Sequence, residues 1–414
     1  MLCNMEMVNE YVQTEIGLIP SDWKIKSLEE IGKFSKGQGI RKDDALSGEI
    51  PCVRYGEIYT RHNDYVKRFY SFISKEISLT SKRLRKGDIL FAGSGETKAE
   101  IGKNIAFLDS IEAYAGSDIV ILTPQNHSSL FLGFLLNAPF IQKQKAIRGQ
   151  GDAVVHISSS HLGKILIPSP TIEEQNLIAN AILDMDILID NLEELINKKN
   201  QIKKGALHEL LKPKEDWITK KFSDLCWFQE GPGLRNWQFT KSGIKVINVT
   251  NLERGVLNLD RTVRHISMTE FYKMYQHFEI NENDIVVASS GNSYGKVAVV
   301  RKQDLPLVMN TSVIRFKPLK DLDYNYLLIF LKSNDFKSQI DLLITGGAQP
   351  NFGPVHLNKI EISLPKSKEE QNRISTILTD MDNEIEQLET KLVKAKQIKQ
   401  GMMQELLTGK TRLV

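Results

Sequence analysis

The sequence predicts an α+β fold: two globular α/β segments alternate with two long helices that pair as an antiparallel coiled coil, in an internal duplication of pseudo-twofold character. Three observations carry that expectation. Residues 168–211 read as one long helix with a narrow apolar seam, the same text returns within 364–414, and a globular stretch of short apolar runs stands ahead of each copy. At 414 residues the chain also exceeds the size at which a single core usually keeps growing.

Residues 1–16 form an uninformative N-terminal extension. The first globular segment, 17–167, opens with Ile19-Pro20-Ser21-Asp22-Trp23, and the second, 212–363, opens alike with Lys212-Pro213-Lys214-Glu215-Asp216-Trp217. Both hold short apolar runs bounded by Gly, Asn, Asp and Ser, the pattern of strands and turns. Ile50 to Ile58 corresponds to Ile244 to Leu252, and Asp88-Ile89-Leu90-Phe91-Ala92 to Asp284-Ile285-Val286-Val287-Ala288. A small-residue loop follows the latter pair, Gly93-Ser94-Gly95-Glu96-Thr97 or Ser289-Ser290-Gly291-Asn292-Ser293, and leads to Gly102-Lys103 or Gly295-Lys296 and another strand. A strand ending Ile119 to Leu122 or Val313 to Phe316 precedes an amphipathic helix near 130–147 or 325–343. Glycine-rich loops at 149–151 and 346–349 return the chain to the long helices.

The long helices, within 168–211 and 364–414, start at capping-box spacings: Thr171 with Glu174, and Ser367 with Glu370. Behind the first cap, Ile178, Ile182, Met185, Ile189, Leu192 and Ile196 recur at alternating steps of four and three; behind the second, Ile374, Leu378, Met381, Ile385, Leu388, Leu392 and Ala395 do the same. Glu173-Glu174-Gln175-Asn176, Asp184-Met185-Asp186 and Gln201-Ile202-Lys203 return letter for letter as Glu369-Glu370-Gln371-Asn372, Asp380-Met381-Asp382 and Gln397-Ile398-Lys399. Neither seam has another sequence-local face to cover it, so the helices are expected to bury each other. A helix of about forty residues spans about 60 Å.

Composition sets further bounds. The net charge of +3 neither demonstrates nor excludes a polyanionic partner. Cys3, Cys52 and Cys226 lie far apart and in no metal-ligand spacing, which argues against a disulfide framework and against a zinc site. The longest apolar run, Leu130 to Leu136, is too short to cross a bilayer, and Met1 to Glu10 lacks a signal-peptide core, so a cytoplasmic protein without membrane association is expected. Lys198-Lys199 and Lys394 with Lys396 read as solvated helix face, Asp184, Asp186, Asp380 and Asp382 as polar flank or docking face, and His156, His161 and His356 lack a second ligand at useful spacing.

The arrangement resembles the specificity subunit of type I restriction-modification systems, in which two target-recognition domains alternate with two repeated helices. Carrying the resemblance are the Glu-Glu-Gln entries (173–175 and 369–371), the Asp-Met-Asp and Gln-Ile-Lys strings, the endings Glu209-Leu210-Leu211-Lys212 and Glu405-Leu406-Leu407, and Gly87-Asp88-Ile89-Leu90 with its loop and Gly102-Lys103. The second copy departs from it at Asn283, where the glycine is missing. The resemblance implies a DNA reader without catalysis of its own: each domain binds half of a bipartite, asymmetric target in double-stranded DNA, and the helix pair sets the spacer. It also implies two modification subunits, which dock on the helices and methylate adenine with S-adenosylmethionine, and restriction subunits that join for cleavage. No cofactor is expected on this chain itself.

Contacts follow by side-chain chemistry. Hydroxyls and N–H groups of the small-residue loops, including Ser94 and Ser290, with Lys103 and Lys296, suit phosphate positioning. Arg, Asn and Gln suit base edges. Candidates are Arg54, Tyr55, Arg61, Asn63, Thr97 and Gln150 in the first segment, and Asn248, Asn251, Asn292, Tyr294, Gln349 and Asn351 in the second. An enzymatic role lacks its motifs: Gly93 to Lys98 has no Gly-Lys-Ser/Thr ending, because Asn104 follows Gly102-Lys103, and no Asn-Pro-Pro-Tyr-type amino-methyltransfer motif occurs. A coiled-coil adaptor with protein-binding heads is the alternative.

Overall fold

The structure, a computed structural model, describes residues 11–151, 154–344 and 350–413. It divides into two compact units: one joins the chain up to Glu194 with Glu389 onward, and the other is Leu195–Leu388.

The first unit contains β1 (Gly32–Lys36), β2 (Ile50–Val53), α1 (Tyr55–Thr60), β3 (Ser71–Ile73), β4 (Lys82–Arg83), β5 (Ile89–Ala92), β6 (Asn104–Ala106), β7 (Tyr114–Ala115), β8 (Ile119–Pro124), α2 (Ser129–Leu135), α3 (Pro139–Arg148) and the start of α4 (Ile172–Leu210). One antiparallel sheet runs β6-β5-β8-β1, and a second runs β3-β2-β7-β4 with β2 and β7 parallel. Alternate residues of the first sheet serve two cores. Ile89, Phe91, Val120 and Leu122 face α2 and α3, whereas Leu90, Ala92, Ile119 and Ile121 face Val53, Ala115 and Phe107. Burial on both faces is why these strands read as continuous apolar runs.

The second unit repeats this order with β9 (Cys226–Glu230), β10 (Ile244–Ile247), β11 (His265–Ile266), β12 (Glu279–Ile280), β13 (Ile285–Ala288), β14 (Val297–Val299), β15 (Leu307–Met309), β16 (Val313–Pro318), α5 (Tyr324–Lys332), α6 (Asn334–Leu343) and the start of α7 (Lys368–Leu406). Its sheets run β14-β13-β16-β9 and β11-β10-β15-β12, strand for strand the order of the first unit, with β10 and β15 parallel. Ile285, Val287, Ile314 and Phe316 face the helices, and Val286, Ala288 and Val313 face Ile247, Leu307 and Met309. The single amphipathic helix expected at 130–147 and at 325–343 is in each case two helices. Pro139 opens the second of the first pair, and Ser333 caps the second of the other through its hydroxyl.

The long helices α4 and α7 have 39 residues each. In the first unit Ile178 and Ile182 meet Leu406 and Leu407, and Lys399 pairs with Asp186 (2.8 Å) and Lys396 with Glu193 (2.7 Å), so the two segments run antiparallel. Within the second unit Leu207 and Leu210 meet Ile374 and Leu378, Lys199 pairs with Glu384 (2.7 Å), and Lys203 pairs with Asp382. The repeated Gln-Ile-Lys of one helix thus holds the repeated Asp-Met-Asp of the other. Asp186 and Asp382, expected as polar flank or docking face, are these partners.

Two expectations need correction. The seam does not bury only against the opposite helix: Ile178, Ile182, Ile374 and Leu378 are fully buried because they also complete the globular cores, while Leu192, Ile196, Leu388 and Leu392 are only half-buried. The capping boxes are half formed. Thr171 and Ser367 accept from the Glu174 and Glu370 backbones (3.3 and 3.2 Å), but Glu174 turns to Trp23 (3.0 Å) and Arg412 (2.9 Å), and Glu370 turns to Arg373 (2.8 Å). The glutamines beside them seat the globular part. Gln175 accepts from the Ser128 N–H at the head of α2 (2.9 Å), and Gln371 from the Asp323 N–H at the head of α5 (2.8 Å).

Candidate nucleic-acid interface

In the first unit a cleft of about 830 Å³ opens where the chain crosses between its two sheets. A strap leaving β1 forms one wall. Gly37 donates to the Ile119 carbonyl (2.8 Å) and Gln38 to that of Ala115 (3.1 Å), and a Cβ on Gly37 would stand 2.0 Å from the Gly116 carbonyl oxygen. Only glycine lets the strap approach so closely, and this delivers exposed Arg41 and Lys42 to the rim. The opposite wall is α1 with Arg54 at its head, and Ser117-Asp118 closes the base between β7 and β8.

The second unit has the same strap. Gly231 donates to Val313 (3.1 Å), its Cβ position lies 2.2 Å from the Asn310 carbonyl oxygen, and Arg235 stands where Arg41 does. The repeated text Gly37-Gln38-Gly39-Ile40-Arg41 and Gly231-Pro232-Gly233-Leu234-Arg235 carries this element. Motif reading missed both arginines; a self-comparison at the repeat spacing finds them. Beside Arg235, Trp237 is 82% exposed, and nearby Arg264 lies 4.9 Å over the Phe239 ring.

Among the first unit's candidates, Tyr55, Arg61, Asn63, Thr97 and Gln150 are exposed, and the Arg61 guanidinium lies 5.4 Å over Tyr70. Arg54, Tyr55 and Arg61 share the cleft; Asn63, Thr97 and Gln150 do not line it. Arg54 is half-buried and fixed by Glu57 (3.2 Å) and Ser71 (3.1 Å). Two assignments are corrected. Lys103 turns inward, its ammonium donating to the Tyr59 (3.3 Å) and His62 (2.9 Å) carbonyls, and burial holds it below the usual lysine range. Ser94 is buried, with its hydroxyl bonded to His156 Nδ1 (2.9 Å). Both serve the fold where phosphate contact was expected.

In the second unit Asn292, Lys296 and Asn351 are exposed, and Ser290 is half-buried opposite Asn351 in a β-bridge. Asn248 occupies the Arg54 position, its Oδ1 accepting from the Thr250 N–H (2.9 Å). Asn251 is corrected: it is 1% exposed and is spent on the Asn248 N–H, the Asn258 carbonyl and Thr262, the capping place that Glu57 takes in the first unit. Tyr294 is half-buried, with its hydroxyl on Asp341 and its ring 5.6 Å from the Lys337 ammonium. Gln349 lies outside the described residues. Among the described residues no group of three or more His, Cys, Asp or Glu side chains could hold a metal ion, and no helix is long and apolar enough to cross a membrane.

The family described as the type I restriction modification DNA specificity domain matches residues 20–204 and again 214–397. The specificity subunit of type I restriction enzyme MjaVIII from Methanocaldococcus jannaschii is 26% identical over 423 residues, spanning 95% of this chain and 94% of its own. That of the EcoKI enzyme from Escherichia coli K12 is 20% identical, spanning 95% and 90%. Among solved structures, the type I system S subunit from M. genitalium matches with a TM-score of 0.59 at 16% identity, over 93% of this chain and 96% of that one. The HsdS subunit from Thermoanaerobacter tengcongensis matches with a TM-score of 0.50 at 16% identity, over 95% and 98%. At these identities the structural likeness concerns the fold.

Proposed function

Because the chain belongs to the type I restriction-modification DNA specificity family, we propose that its two units each read one half of a bipartite, asymmetric sequence in double-stranded DNA. The chain does no chemistry of its own. The single observation that carries this reading is the duplicated strap: the same buried glycine and exposed arginine recur in both units, while side chains at equivalent places differ, Arg54 against Asn248. Glu57 and Ser71 hold Arg54 by Nε and Nη2, and Thr250 occupies the Asn248 Oδ1, which leaves a guanidinium Nη1 in one unit and an amide Nδ2 in the other to donate to base edges, so two copies of one frame present two different readers. Shared rim cations serve phosphates, which position the duplex without choosing a sequence.

The helix pair sets the number of base pairs between the halves and docks two modification subunits. Its 39-residue helices are each about 60 Å long, with their ends packed into the globular cores and only the middle left to set the spacer, and they carry ion pairs that fix their register. The modification subunits bind S-adenosylmethionine and methylate adenine, and restriction subunits join for cleavage. Co-expression with the neighbouring modification subunit, followed by mapping of N6-methyladenine across host DNA, tests the scheme. One bipartite, asymmetric motif with a methylated adenine on each strand is expected; an active, co-purifying methyltransferase that yields no such motif returns the chain to the adaptor reading.

A further inference from the structure

Resting on that reading, we infer that the first unit's cleft recognises a cytosine of its half-site through Asp118, with Arg41 anchoring the neighbouring phosphate. Asp118 is exposed at the base of the cleft, on the crossing from β7 to β8. Its backbone is in the left-handed region (φ 63°) and is tied down by the Gly93 N–H, which donates to its carbonyl at 2.7 Å. No hydrogen bond or ion pair to its carboxylate forms among the described residues, although Arg41, Arg54 and Arg61 line the same cleft. A rigidly presented carboxylate on a surface that meets a polyanion is repelled unless it reaches a donor.

Base chemistry selects that donor. In the major groove guanine and thymine present oxygen to a carboxylate, and the adenine amino group stands between its own N7 and the paired thymine O4; the cytosine amino group has an acceptor on one side only, the paired guanine O6. The same charge that accepts from cytosine therefore repels guanine and thymine and disfavours adenine, whose amino group is flanked by acceptors on both sides. The second unit supports the division of labour. Ser312 stands at the Asp118 position, held alike by the Ser289 N–H (2.9 Å), so the frame is kept while the side chain changes, and Arg235 keeps the place of Arg41.

The test maps N6-methyladenine motifs for the full chain in complex with its modification subunits, as wild type, Asp118→Asn and Arg41→Ala. Asp118→Asn is expected to relax one C·G pair of one half-site, lowering discrimination there about 5- to 150-fold. The other half-site stays unchanged. Arg41→Ala is expected to keep the motif while its DNA affinity falls and the slope of log affinity against log salt drops by about one. If Asp118→Asn yields no methylation, Asp118→Ser, which carries the second unit's residue, is mapped in its place, and failure of both overturns the inference by making Asp118 structural. An unchanged motif in Asp118→Asn overturns it too, as does a changed motif in Arg41→Ala. A wild-type complex without a bipartite motif overturns the underlying reading as well, which separates the two failures.

Discussion

Lys399 and Lys203 are equivalent residues in unequal surroundings. Lys399 lies between Asp64 (3.2 Å) and Asp186 (2.8 Å), whose side chains are only 11% and 10% exposed, and its ammonium stands 5.4 Å over the Phe134 ring. Lys399→Ala leaves two shielded carboxylates without their cation, so a loss of about 3 kcal/mol from the first unit is expected in urea denaturation of the full chain. Lys203 faces Asp382, which is 46% exposed, and Lys203→Ala should cost under about 1 kcal/mol. Lys145 gives a pH signature. It is fully buried, donating to the Gly102 carbonyl at 2.8 Å, and burial pushes its ammonium down to about 7. In the unfolded chain a lysine holds its proton up to about 10.4, so between those values the unfolded state binds more protons and the first unit gains stability as pH rises, by at most about 1.4 kcal/mol per pH unit. Lys145→Met removes that slope: relative to wild type it should be more stable at pH 7, with the difference shrinking by pH 9 in paired urea titrations.

At the scale of elements, the strap and α1 make opposite demands on glycine. Gly37→Ala drives a methyl into the Gly116 carbonyl and should destabilise the first unit by about 1–3 kcal/mol. Gly56 lies inside α1 with open space at its Cβ position, so Gly56→Ala should be neutral or stabilising by up to about 1 kcal/mol. Thermal melts of the two variants check both signs. The long helices make a different prediction, because their register rests on ion pairs and a seam that repeats by heptads. Inserting one heptad into both helices adds about 10.5 Å, or about three base pairs, to the proposed spacer while both half-sites stay the same. Methylation mapping reads the spacer directly, and altered half-site bases would contradict the separation of ruler from reader.

For the whole molecule, duplication made the architecture legible. Long-range pairing left its mark in repeated strings, so the helices, their antiparallel pairing and the matching globular segments could be read from one chain. The candidate site was legible only in part. Tyr55, Arg61 and Asn292 are exposed, but residue type does not reveal which way a side chain turns: Lys103 points at carbonyls, Asn251 caps a buried turn, and Ser94 bonds His156. Asp118 carried no motif because its meaning lies in the crossing between two sheets. The division of the chain has a last consequence, in the order of synthesis. The second unit is contiguous, Leu195–Leu388, whereas the first needs the segment from Glu389 onward to cover Ile178 and Ile182. At ~5–20 residues per second, the ribosome takes roughly 10–40 s to travel from the end of the first unit's leading part to the segment that closes it. The unit that is begun first is therefore the one completed last, and the side of its helix that Leu406 and Leu407 cover waits on the nascent chain in the meantime.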